Sequence, residues 1–123
     1  MEQLSMFDLM MPPPAAPETD EPTWFRVDLD KKGHSYAEIG IMRNGDGTWC
    51  ATTRDTFQGF CGHGGPFWGE YPSFQEALRL RLDFLRRGYQ TMADGKAGSC
   101  CTSKHEAMAR VGLKWIDQLA ADH

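Results

Sequence analysis

"YAEIGIMRNGDGTWCATTR", residues 36–54, decides how the rest of the chain is read. Ala37, Ile39 and Ile41 recur at every second position, the period of a strand with one buried face. Asn44-Gly45-Asp46-Gly47 supplies a tight-turn signal, and Thr48–Arg54 resumes with β-favouring Thr and Trp. The stretch predicts an antiparallel hairpin. On its upstream side "WFRVDLD" sets Phe25, Val27 and Leu29 against Trp24, Arg26 and Asp28, so one more strand joins the meander.

Downstream the period changes. Ser73 is an N-cap candidate, and Glu76 three residues on completes a capping box. Phe74, Leu78, Leu82, Leu85 and Tyr89 then recur at helical spacing, and Gly88 reads as the stop signal. Past a loop around "ADGKAGSCC", a second helix is expected over Ser103–Ala121, with Ala107/Met108, Val111, Trp115 and Leu119 as its buried stripe. The fold class is therefore α+β: a small antiparallel β-meander of three or four strands over residues 24–70, packed against one helix. The C-terminal helix completes the core, and a flexible N-terminal tail precedes the meander.

A chain of 123 residues has room for one modest core and an appendage. Composition divides it into residues 1–22, read as an extended peptide plus Pro-rich linker, and residues 23–123, read as a single domain. Pro12, Pro13, Pro14, Pro17 and Pro22 deny the linker helical hydrogen bonds and favour an extended path. At ~3.1 Å per residue, such a linker reaches on the order of 35 Å. The net charge of −4 is uneven: residues 1–22 carry Glu2, Asp8, Glu18, Asp20 and Glu21 and no Lys or Arg. The remainder, with 13 basic and 12 acidic residues, stands at +1. An acidic tail repels phosphate backbones. No apolar run is long enough to span a bilayer, and acids and prolines break up the opening run, so no secretory signal is expected. Four cysteines, with Cys100 and Cys101 adjacent, do not look like a secreted disulfide framework. The expectation is a cytoplasmic protein with reduced thiols and no membrane partner.

The opening decapeptide, "MEQLSMFDLM", groups Leu4, Met6, Phe7, Leu9 and Met10 ahead of the prolines. Apolar side chains grouped in this way signal a partner, a membrane or a packing site. Gln3-Leu4-Ser5-Met6-Phe7 resembles the peptide by which bacterial DNA polymerases, mismatch-repair proteins and other clients bind the DNA sliding clamp. The family pattern is Gln-Leu, then Ser or Asp, then Leu-Phe; Met6 stands where Leu is commoner, and Asp8 and Leu9 extend the resemblance. The resemblance implies that Met6 and Phe7 fill a deep apolar pocket with Leu4 beside them, while Gln3 hydrogen-bonds in a smaller one. Burying Leu4, Met6 and Phe7 gives a gross gain of roughly 5–9 kcal/mol. Ordering the peptide takes back much of this, which suits an exchangeable client. Leu4, Phe7 and Met10/Met11 also have the spacing of an amphipathic helix docked on the body, so that alternative stays open.

"FQGFCGHGGPFWGEYP", residues 57–72, holds five glycines with Phe57, Phe60, Phe67 and Trp68. Its aromatics either stack on a ligand such as nucleic-acid bases or cover the sheet and first helix. Arg79, Arg81, Arg86 and Arg87 form a second candidate nucleic-acid surface with Phe60 and Trp68, or else a solvated face with Arg79–Asp83 and Asp83–Arg87 pairs. DNA is thus a candidate second partner. Cys61, His63, Cys100, Cys101 and His105 offer enough donors for zinc, yet at spacings unlike those of zinc sites, and no metal or cofactor is expected. Cys61 and His63 lack an apparent third group to make a nucleophilic pair, and "HGGP" comes without the Gly-x-Ser-x-Gly elbow of lipases. Nothing in the sequence argues for an enzyme.

Overall fold

The hairpin forms over β2 (Tyr36–Arg43) and β3 (Trp49–Phe57), antiparallel from Tyr36 opposite Thr56 to Arg43 opposite Trp49. In the computed structural model, which describes residues 21–123, the turn falls inside the four-residue signal. Asn44 N–H donates to the Thr48 carbonyl at 2.8 Å, leaving Gly45, Asp46 and Gly47 as the loop. Gly47 sits at φ +90°, which closes a three-residue loop and which a side chain would strain. Asp46 accepts from the Thr48 N–H and hydroxyl at 3.0 and 2.6 Å, and these bonds hold its carboxyl below the ordinary range.

β1 (Thr23–Asp28) pairs antiparallel with β2, as the alternation of Phe25, Val27 and Leu29 requires. The sheet has five strands rather than three or four, because β4 (Cys61–His63) and β5 (Trp68–Tyr71) both pair with β3. β4 lies along Asp55–Phe57, whereas β5 lies along Trp49–Ala51 with a register shift. The Gly-rich stretch between them is an interruption in one edge rather than a free loop. Its aromatics divide accordingly. Phe57 ends β3 in the core, Phe60 packs against the core, and Phe67 meets Trp24 edge-on at 5.6 Å. Trp68 stays exposed.

The inward face of the sheet, led by Ala37, Ile39, Ile41, Ala51 and Phe57, packs on α1 (Phe74–Ala93) and α2 (Ser103–Asp122). Ser73 caps α1, accepting from the Glu76 N–H at 3.1 Å. Gly88 does not stop α1, which runs on to Ala93. Burial of Tyr89 and Met92 on either side of the next turn outweighs the helix cost of ~1 kcal/mol for one glycine. The buried stripe of α2 also differs from expectation: Met108 and Leu119 are buried and Trp115 is half-buried, but Ala107 and Val111 face solvent. Ala109, Gly112 and Ile116 take the inward places. A Cβ on Gly112 would stand 2.7 Å from the Tyr89 ring, so the two helices pack too tightly here for a side chain.

Gln3, Leu4, Ser5, Met6, Phe7 and Leu9 lie outside the described residues, as do the tail and the alternative of a docked N-terminal helix. Among the described residues no helix is long and apolar enough to cross a membrane.

Candidate functional site

The inward register of β3 runs Ala51, Thr53, Asp55, Phe57, so strand geometry alone drives a carboxylate under the helices. The Asp55 side chain is fully buried. β4 lies antiparallel beside it with His63 opposite Asp55, and His63 Nδ1 is 2.7 Å from Asp55 Oδ1. From α1, the Tyr89 hydroxyl donates to Asp55 Oδ2 at 2.7 Å. Burial first, then the Asp55 charge and the hydrogen bond to it, hold the Tyr89 phenol far above the ordinary tyrosine range. Tyr89 is therefore a permanent donor. The other Asp55 oxygen holds His63 Nδ1, which fixes the imidazole and turns Nε2 away from the carboxylate. A buried carboxylate is tolerable only with such donors.

Two hollows flank this cluster. The larger, about 430 Å³, lies between β4 and α1, with Phe57, Phe60, Phe84, Leu85 and Met92 among its apolar walls and Asp55, His63 and Arg87 among its polar ones. The smaller, about 280 Å³, opens under the edge interruption and is lined by Thr53, His63, Gly64, Gly65, Trp68 and Arg81, among others. His63 and Phe84 belong to both. Of these lining residues, Thr53 and Arg81 each keep one buried atom, Oγ1 and Nε, without a hydrogen-bond partner. Arg81 is wedged against Trp68 and Phe84, its guanidinium carbon 5.0 and 5.2 Å from the ring centres. Trp68 nonetheless remains 56% exposed.

The structure thus joins Arg81 to Trp68 but scatters the other nucleic-acid candidates. Arg79 is taken up by Glu76 and, at 3.9 Å, by Asp83. Arg86 reaches across to Asp117 of α2 at 3.1 Å. The Asp83–Arg87 pair is not formed among the described residues, and Arg87 stands at the larger hollow instead. Phe60 is placed elsewhere, beside His105 at 5.4 Å between ring centres.

The candidate metal ligands have other tasks. His105 accepts from the Thr102 N–H through Nδ1 at 3.0 Å and donates from Nε2 to the Gln58 carbonyl at 2.8 Å. Both nitrogens are engaged, Nδ1 in capping the start of α2 and Nε2 in tying that helix to the β3–β4 turn. Cys101 is buried and Cys100 exposed. Among the described residues no group of three His, Cys, Asp or Glu side chains is placed to hold a metal ion. Asp55 orients His63, but among the described residues no hydrogen bond joins His63 to Cys61. The Cys61 thiol is pushed above the ordinary range by burial and then by Asp55 and Cys101, which keeps it a weak nucleophile. What the cluster offers is an imidazole held at Nδ1 by Asp55, with Nε2 turned away from that carboxylate and left to hydrogen-bond a ligand.

Asp55, Tyr89 and Thr53 were missed as site residues. The available signal was a charged residue at the same strand parity as Ala51 and Phe57. Comparison with known proteins finds no family model, no curated protein and no solved structure that matches the chain.

Proposed function

We propose that this chain is a non-enzymatic accessory protein of bacterial, phage or mobile-element DNA replication or repair, acting in the cytoplasm and recruited to the sliding clamp by Gln3-Leu4-Ser5-Met6-Phe7. The observation that carries the reading is that peptide itself, with Leu9 beyond it and the acidic, Pro-rich residues 11–22 behind it. The first strand starts at Thr23, directly after that linker in the sequence. Tethering raises the local concentration of the domain near clamp-bound enzymes, or else occupies the pocket against other clients. Titrating a purified bacterial clamp with the full chain tests it. Binding of micromolar class is expected, lost in the triple variant Gln3→Ala, Met6→Ala, Phe7→Ala. Equal, weak binding by both proteins refutes the proposal. Clamp-dependent DNA synthesis separates the roles: inhibition retained by a peptide of residues 1–11 marks a competitor, and no inhibition marks an adaptor.

The Arg81–Trp68–Phe84 stack favours one second reading, a small nucleic-acid-binding domain. An exposed indole beside a guanidinium is a platform on which bases stack. A steep salt dependence of oligonucleotide binding, retained without residues 1–11, supports that reading. A flat one removes it.

A further inference from the structure

We propose that the paired hollows around His63 form a binding site for a small amphiphilic acid, an aromatic or branched-chain carboxylate, independently of how residues 3–7 are used. The acid group belongs in the smaller hollow. Three polar side chains line it: Thr53, whose hydroxyl is buried without a partner, Arg81, whose Nε is likewise unpartnered, and His63. A hydroxyl that is buried and unpaired costs stability unless something fills its hydrogen-bonding capacity. A carboxylate satisfies Thr53 as an acceptor and Arg81 as a counter-charge. A neutral apolar guest leaves both unmet.

The body of the acid belongs in the larger hollow, which adjoins the first at His63 and Phe84. Its walls include Phe60, Leu85 and Met92, and the one buried charge, Asp55, is already engaged by Tyr89 and His63. An apolar chamber joined to a few convergent donors is the usual anatomy of a small-molecule site. Gly88 makes the chamber accessible from α1: a Cβ built there meets nothing within 4 Å.

The test is an NMR titration of the full chain with sodium 2-naphthoate, with 2-naphthamide as its neutral isostere. Saturable shifts at Gly64, Gly65 and the Trp68 indole are expected with naphthoate, at about tenfold higher affinity than with the amide. Thr53→Val should lose about tenfold in naphthoate affinity, whereas Thr53→Ser retains it. Gly88→Leu, a substitution that helices favour, should weaken naphthoate and naphthamide alike by filling the chamber. Equal binding of acid and amide overturns the proposal. So does an unaffected Thr53→Val protein, or failure of naphthoate to saturate. Displacement of naphthoate by a peptide of residues 1–11, or shifts at these positions on raising protein concentration alone, overturns it by identifying the occupant as the chain's own segment or a second copy.

Discussion

Asp55 accepts hydrogen bonds at both oxygens while its side chain has no exposure, so each donor to it carries more weight than an average surface partner. Tyr89→Phe removes one of them without changing the ring that packs on Gly112. Loss of about 1.5–3 kcal/mol is expected at neutral pH, read by chemical denaturation. The pH dependence has a definite sign. The folded phenol is held above its unfolded value, so its contribution is complete below about pH 10, where unfolded tyrosine begins to ionise. Above that pH the unfolded chain gains by ionising and the folded one does not. The stability gap between the parent and Tyr89→Phe should therefore narrow as pH rises past about 10. A gap that stays constant would show that the hydroxyl does not titrate differently in the two states. Sequence disclosed the ingredients of this cluster unevenly. His63 and Cys61 stood out by residue type, and Asp55 was detectable by parity on β3. Its pairing to Tyr89, 34 positions away, arises only once α1 crosses the sheet.

Two helical glycines show how much of the fold local pattern carries and where it stops. Gly88 and Gly112 look alike in sequence, yet a Cβ meets open space at the first and the Tyr89 ring at 2.7 Å at the second. Gly88→Ala should raise stability by about 0.5–1 kcal/mol through helix propensity. Gly112→Ala should lower it by about 1–3 kcal/mol, because overpacking between α1 and α2 exceeds the same propensity gain. Thermal or denaturant unfolding of both variants checks the opposite signs; stabilisation by both would mean the helices can move apart freely. The same contrast explains the reading of the elements. The hairpin, β1 and the start of α1 were legible because alternation, a turn signal and an N-cap are local. The stripe of α2 was not, since hydrophobicity passes over Gly112 and His105, which face inward for close approach and for the bond to Gln58. β4 and β5 were equally hidden, being short, Gly-rich and held by an already formed β3 edge.

Charge separates the chain into two parts, an acidic N-terminal stretch of −5 and a near-neutral remainder of +1. Neither has the strongly basic character that drives sequence-independent DNA binding, so a protein partner for the N-terminal stretch agrees better with the electrostatics. The apolar residues of that stretch then have two competing destinations, a partner's pocket or the chain's own domain, and the two make opposite predictions for one pair of substitutions. Under the clamp proposal, Leu4→Ala and Phe7→Ala each weaken clamp binding by roughly 10- to 100-fold, from the ~1.5–3 kcal/mol carried by each buried side chain. The same substitutions leave the thermal midpoint of the isolated protein where it was. Were the decapeptide instead a helix packed on its own domain, both substitutions would remove buried area from the folded state. The midpoint would then fall by several degrees, roughly 4–8 °C per kcal/mol for a domain near this size. Calorimetry of the two variants beside clamp titrations resolves the choice: an unchanged midpoint with lost binding supports recruitment through Gln3–Phe7, and a lowered midpoint with unchanged binding rejects it.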